Sequence, residues 1–381
     1  MVRAAYVHVP FCRHHCGYCD FAVVAGRDDW AGAYVDAVGR ELADLGQSRP
    51  MDTIFIGGGT PTYLSVELLA RLLQLIRRWL PLNDGGEWSA ESTPDSLDGE
   101  RVAVLADCGV SRVSIGAQSF HKRSLAALDR QHSPYEIAQA VDRVKRRFSN
   151  WSLDLIFGVP GQTLGEWQGD LLQAVAMEPP HLSCYGLTFE KGTPLWKEQQ
   201  AGRVQAVDEE TEREMYLHTH DRLTALGYEH YEVSNYARPG HRCRHNETYW
   251  ANDPYLGFGV GAARYVAGRR ELNTRSLDEY VSRVAAGRSP VIQSEKLEGD
   301  DKARETMSVQ LRRREGINRR DFQQRTGMEF NQLFGEALPR LVTMGLLKDD
   351  GEDVALTREG LCVADTVIAE LWSASLSSPK V

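Results

Sequence analysis

The sequence predicts an α/β protein: a partial (β/α)6 barrel followed by a small winged-helix-like helical domain. Three observations predict it. Short apolar, β-prone runs alternate with stretches of helical period from Ala5 to about Leu187, the pattern of parallel strands joined by crossover helices. Two of the helix starts carry capping boxes. From about Glu295 the pattern changes to closely spaced aliphatic and aromatic residues without intervening strands.

The strands are expected at Ala5 to Val9, Thr53 to Ile56, Trp88 to Glu91, Arg112 to Ile115, Leu153 to Phe157 and Leu182 to Leu187. Helical spacing fills the gaps, in Tyr34, Val35, Val38, Leu42 and Leu45 and again in Leu68, Leu69, Leu72, Leu73 and Ile76. The capping boxes are Ser133 with Glu136, where Pro134 takes the first helical position, and Thr163 with Glu166, after the turn Pro160-Gly161. Six such units in a row fit a partial barrel of TIM type, and an open doubly wound sheet fits the same alternation. Ligands sit at the C-terminal ends of the strands in both.

The chain divides into a core over 1–235, a loop-rich extension over 236–294 and the helical domain over 295–375. Glycines and aromatics without helical period dominate Tyr249 to Gly268, and Tyr228 to Val233 is β-like. In the last part Met307, Leu311, Ile317, Phe322, Phe330, Phe334, Leu338, Leu341, Leu346 and Leu347 suit three short helices, and Val354 to Thr357 reads as a wing. A Ser-rich tail follows Trp372.

A formal net charge of -9 leaves no basic footprint for nucleic acid. The arginines at 312–314, 319 and 320 alternate with Glu315 and Asp321, the mark of a solvated helix face. No run approaches the roughly 18 apolar residues of a membrane span, and Met1 to Val9 has no signal-peptide pattern, so a cytoplasmic protein is expected. Seven cysteines, an odd number, point to reduced thiols; Cys108, Cys184 and Cys362 are expected in the core.

The other chemistry-bearing residues gather at strand ends. Cys12, Cys16 and Cys19 form a C-x3-C-x2-C run after the first strand, short enough to wrap three corners of one iron–sulfur cluster and leave the fourth iron open. The glycine loop Gly57-Gly58-Gly59-Thr60-Pro61 ends the second strand and offers backbone groups to a ligand. Glu91, Gln118 and Asp154 place one polar side chain at the end of each of three further strands. Charge within apolar strands is paired or used, because burying it alone is expensive.

With Tyr6, these motifs and the runs Ser114 to Phe120 and Asp154 to Thr163 resemble the radical S-adenosylmethionine proteins, in particular the oxygen-independent coproporphyrinogen oxidase group. The resemblance covers nearly the whole chain and implies a [4Fe–4S] cluster held by Cys12, Cys16 and Cys19. It further implies S-adenosylmethionine on the open iron, with Gly58, Gly59 and Thr60 at its methionine end and Glu91 at its ribose. Tyr6, Gln118, Arg130 and Asp154 would complete the pocket.

Two departures select a branch. The decarboxylating oxidase has a further cysteine two positions after the third ligand, where this chain has Phe21. His245-Asn246-Glu247-Thr248-Tyr249-Trp250 resembles the H-N-x-x-Y-W motif of the heme-chaperone branch, the HemW proteins. That implies heme as a third cofactor, with His245 as contact to the iron and Tyr249 and Trp250 against the macrocycle. The expected function is heme binding and delivery rather than porphyrinogen oxidation; the enzyme alternative is oxidative decarboxylation of coproporphyrinogen III. The partners implied are heme, apo-hemoprotein acceptors such as cytochromes, a heme donor and a protein that reduces the cluster. Membrane contact would be peripheral, through those partners.

Overall fold

The computed structural model describes residues 2–374; Met1 and the end of the Ser-rich tail lie outside them. Six parallel strands run in chain order: β1 Ala4–Val9, β2 Met51–Gly58, β3 Leu82–Ser92, β4 Arg112–Gln118, β5 Trp151–Phe157 and β6 His181–Gly186. They match the six expected positions and extend most of them by one to several residues. Between them lie α1 Ala31–Ala43, α2 Val66–Trp79, α3 Gly99–Cys108, the pair α4 Lys122–Ala127 and α5 Pro134–Lys145, and α6 Leu164–Ala176. Both capping boxes are formed as expected, at Ser133 and Thr163.

Alternation along the strands separates two environments. Val7, Ile54, Ile56, Ala90, Val113, Ile115, Leu153, Leu155 and Leu182 point outward and are fully buried beneath the helices. α2 answers with Leu69, Leu72, Leu73 and Ile76, one stripe of an amphipathic helix. The intervening residues, Tyr6, His8, Phe55, Glu91, Arg112, Ser114, Ser152, Asp154, His181 and Ser183, line one large cavity. Side chains from all six strands meet around that space, as the sequence expectation of a partial barrel requires. The sheet does not close on itself among the described residues. His8 belongs to this inner face and is buried.

Beyond the six, α7 Pro194–Gln200 and α8 Glu209–Ala225 lead to β7 Glu229–His230 and β8 Asn235–Ala237, which extend the sheet beside β6. α9 Arg244–Trp250 carries the histidine motif, so the region read as loop begins with a helix. It continues with β9 Tyr255–Phe258, parallel to β1, and the antiparallel strands β10 Ala263–Val266, β11 Arg269–Asn273 and, after α10 Leu277–Ala285, β12 Val291–Lys296. The full sheet has twelve strands. These extra strands are two to six residues long and lack a clean apolar alternation, which is why no period marks them.

The C-terminal part packs its own apolar cluster, in which Met307, Phe322, Phe330, Phe334, Leu341, Val354 and Leu371 are buried. Its short helices and a three-stranded sheet of Ile317–Asn318, Leu347–Asp349 and Asp353–Leu356 give the winged-helix-like outline. The arginines there are not a free basic face: Arg312 pairs with Asp365, Arg319 with Asp349, and Arg313 donates to the Gly316 carbonyl. Cys184 is buried, whereas Cys108 and Cys362 are only half-buried, a correction to their expected place in the core. No described helix is long and apolar enough to cross a membrane.

Candidate functional site

The cluster loop leaves β1 through Pro10 and folds back on itself. The Cys12 amide donates to the Val24 carbonyl at 3.0 Å and the Val24 amide to the Pro10 carbonyl at 2.8 Å, and the Cys19 amide closes a turn on the Cys16 carbonyl at 3.1 Å. Cys12, Cys16 and Cys19 are free thiols, and all three line the cavity. No three His, Cys, Asp or Glu side chains among the described residues are grouped to hold a single metal ion. A four-iron cluster does not ask for that, since each thiolate binds a different iron. Burial pushes the Cys12 thiol up to about 12 and the Cys19 thiol up to about 11. A cationic partner, bound iron first of all and a basic side chain second, favours their thiolate form.

One such partner is built in. Arg130 donates to the Cys16 sulfur at 3.3 Å and to the Gly116 carbonyl at 3.1 Å. Asp129, its neighbour, takes a positive φ and bonds His14 at 2.6 Å, and Arg13 pairs with Asp95 at 3.1 Å. Three contacts thus moor the loop to the strand ends across the cavity.

The glycine loop is organised differently from the expectation. Its amides are already used: Gly58 donates to Glu91 Oε2, Gly59 to the Val9 carbonyl and Thr60 to the Phe11 carbonyl, each at 2.8 Å. The loop is therefore stitched to the root of the cluster loop, and the amides of Gly58, Gly59 and Thr60 are not free for a ligand. Glycine is required there. Gly58 has φ +100 and a Cβ on it would fall 2.2 Å from the His8 ring; one on Gly59 would fall 2.7 Å from the Val9 carbonyl oxygen. The Thr60 hydroxyl lies 3.6 Å from the Cys12 sulfur.

Tyr6, Gly58, Gly59, Thr60, Glu91, Gln118, Arg130 and Asp154 all line the same cavity of about 940 Å³, so the structure brings together every residue that the sequence placed in the pocket. Tyr6 bonds His8 Nδ1 at 3.1 Å through its hydroxyl, and His8 Nε2 bonds the Ala22 carbonyl at 2.9 Å. Burial lowers that imidazole to about 4 and keeps it neutral. Burial also raises Glu91 to about 7 and raises Asp154. The Ser114 hydroxyl donates to Asp154 Oδ2 at 2.6 Å, and Asp154 Oδ1 has no partner. Gln118 ends β4 with a positive φ.

The floor was not anticipated. Glu87 and Arg112 form a buried ion pair at 3.0 Å, and Arg112 also donates to the carbonyls of His241 and Arg242 at 2.8 and 3.0 Å. Glu87 Oε1 accepts from the Arg244 amide at 3.0 Å, which fixes the start of α9 beneath the strands. The sequence signal was available in the polar residues alternating along β3 and β4.

His245 departs from expectation. It is 1% exposed, does not line the cavity, bonds the Thr53 hydroxyl through Nδ1 at 3.0 Å and packs between Phe55 and Tyr249 at 5.4 and 4.7 Å. In this conformation its ring is enclosed by protein. Burial lowers it to about 3, and its Nε2 has no partner. Tyr249 lines the main cavity, whereas Trp250 lines a second cavity of about 580 Å³ on the other side of α9, so the two aromatic residues do not share one face.

The sequence matches the radical SAM superfamily over residues 6–173 and the HemN C-terminal domain over residues 297–363. It is 35% identical over 372 residues to the heme chaperone HemW of Bacillus subtilis (strain 168), covering 96% of this chain and 98% of that relative. It is 41% identical over 288 residues to the heme chaperone HemW of Synechocystis sp. (strain ATCC 27184 / PCC 6803 / Kazusa), covering 74% of this chain and 70% of the relative. The solved structure of coproporphyrinogen III oxidase HemN from Escherichia coli superposes with a TM-score of 0.85 at 23% identity, covering 98% of this chain and 90% of that one, a likeness of fold.

Proposed function

Since the chain belongs to the HemW family of the radical SAM superfamily, we propose that it binds heme and hands it to acceptor hemoproteins. Membership implies a [4Fe–4S] cluster and S-adenosylmethionine, and the cavity is their seat in this reading. The observation that carries it is the 35% identity to the Bacillus subtilis heme chaperone over 96% of this chain.

The residues present fit both groups. Cys12, Cys16 and Cys19 would hold three irons, with Arg130 offsetting negative charge beside Cys16. Gly58, Gly59 and Thr60 line the cavity beside the cysteines and would face the methionine end. Glu91 and Gln118 would take the ribose side, and the unpartnered Asp154 Oδ1 is an acceptor waiting for a ligand N–H or O–H. Tyr6 closes the inner wall. When bound, the pair supplies one-electron chemistry at the sulfonium. The protein's own task is to orient it and keep water out.

For heme, His245 has suitable chemistry, a neutral imidazole with Nε2 free, yet it is reached only if the packing of Phe55 and Tyr249 opens. Porphyrinogen oxidation is disfavoured by Phe21, which stands where the oxidase carries a further cysteine.

Anaerobic reconstitution tests the reading in one sample. Heme titration should raise a Soret band, an apo-hemoprotein added afterwards should take the heme, and coproporphyrinogen should remain unconverted. Formation of protoporphyrinogen, or the absence of a Soret band, would overturn it.

A further inference from the structure

Inward positions of a barrel core are ordinarily filled by branched aliphatic side chains. Here β4, β5 and β6 present Arg112, Ser114, Ser152, His181 and Ser183 instead, and all five line the cavity. Register sets their depth. Ser114 pairs with Ser152 and Ser152 with His181, one layer below the row of Gly116, Asp154 and Ser183. Arg112 lies one inward position deeper on β4. Three serines cannot fill the space that valines or leucines would, so the cavity extends down to this floor.

Two donors stand unused there. Arg112 is buried; its Nε holds Glu87 and its Nη2 holds two carbonyls, but Nη1 has no partner. His181 is buried as well, and its Nδ1 has none. The hydrogen on His181 can be assigned. Its Nε2 lies 2.8 Å from the Tyr231 hydroxyl, whose oxygen accepts from the Cys243 amide at 3.3 Å. The phenol therefore gives its own proton to Nε2, and a neutral ring then carries its hydrogen on Nδ1. Burial first and the charge of Arg112 second hold that ring neutral, well below the usual imidazole range. A buried N–H left without an acceptor is expensive. The serines do not relieve it, since Ser114 donates to Asp154 and its oxygen lies 2.6 Å from that of Ser152.

We propose that the floor of the cavity is a binding site for a small carboxylate, which accepts from Arg112 Nη1 and His181 Nδ1 beside Ser152. A carboxylate brings two oxygens to two donors, and a charged acceptor makes the stronger hydrogen bonds. Of the acids around it, Glu87 is taken up by Arg112, and burial raises Asp154 toward its neutral form. Arg112 also holds the carbonyls of His241 and Arg242, so an occupant is joined through one guanidinium to the segment that leads into α9. The site rests on the geometry of the floor and is independent of where heme binds.

The probe is sodium propionate, titrated at constant ionic strength into the anaerobically reconstituted full chain and followed by saturation-transfer NMR at the propionate methyl. Saturable transfer is expected from the wild type, and propionamide, the neutral isostere, should bind about tenfold more weakly or worse. His181→Phe removes one donor, whereas Ser152→Val keeps both and fills the space; each should weaken propionate about tenfold or more. Arg123→Ser, which changes an exposed guanidinium that does not line the cavity, should bind as the wild type does. Location is also read without any variant, because reducing the cluster to its paramagnetic state should broaden the resonances of propionate bound in the same chamber. No saturable transfer from the wild type overturns the site, and equal affinity in the two variants, folded by circular dichroism, overturns its place. Propionate resonances indifferent to cluster reduction overturn its place as well, and equal affinity for propionamide overturns the carboxylate.

Discussion

Arg130 joins the cluster loop to the strand ends by one side chain, reaching the Cys16 sulfur with Nη1 at 3.3 Å and the Gly116 carbonyl with Nη2 at 3.1 Å. A hydrogen bond from a charged donor is worth about 1.5–3 kcal/mol. Here it also brings positive charge to a set of three thiols. Arg130→Met should lower iron retained after anaerobic desalting and shift the reduction potential of the cluster to more negative values, because a cation favours the reduced, more negative form. Arg130→Lys should restore part of both. Unchanged iron content and potential in the methionine variant would remove the role.

The Glu87–Arg112 pair in the floor makes a stability prediction. Removing one member of a buried ion pair leaves the other uncompensated, at about 3–5 kcal/mol. Glu87→Ala should lower the melting temperature markedly and free the start of α9, since Glu87 also caps the Arg244 amide. Combining Glu87→Leu with Arg112→Met should cost less than the sum of the single changes. Additive losses in a thermal double-mutant cycle would show that the pair is not coupled.

Glu91 predicts a pH dependence. Its carboxyl titrates near 7 in the folded protein because burial disfavours the anion, above the usual value of 4.5. The neutral form is therefore favoured by folding. That contribution is complete below about pH 4.5 and is lost as pH rises through 7, by up to about 3 kcal/mol less whatever cavity water recovers. Glu91→Gln should remove that loss, so the stability of the cofactor-free variant relative to the wild type should grow between pH 5.5 and pH 7.5, on top of the opposite slope that the buried, neutral His8, His132, His230 and His245 give to both proteins. Glu232, likewise raised to about 7 by burial, leaves a residual slope in the variant. A parallel profile in wild type and variant would refute the assignment.

Gly59→Ala should be more damaging than its size implies. The added carbon meets the backbone oxygens of Val9 and Phe11 at 2.7 and 2.9 Å, and neither can swing aside as a side chain could. The cluster loop would be pushed out of register with the glycine loop. Expected outcomes are a folded protein, by far-ultraviolet circular dichroism, with little bound iron; normal iron loading would argue that the two loops are independent.

The parts legible in the sequence share one property: each is written in a short local pattern. Strand positions, capping boxes, the cysteine spacing and the glycine loop all declare themselves within about ten residues, and the pocket residues are strand ends in a known order. What was not legible depends on contacts between distant segments. Glu87 and Arg112 are ordinary charges until β3 and β4 lie side by side above α9. The amides of Gly58 to Thr60 look free until Glu91 and the cluster loop close on them. His245 looked available because a motif has no inside or outside; only the fold shows that Thr53, Phe55 and Tyr249 surround it.

α9 separates the two cavities, with Asn246 and Tyr249 toward one and Thr248 and Trp250 toward the other. The helix is thus a wall shared by both chambers, so a movement of α9 that admits a ligand on one side changes the shape of the chamber on the other.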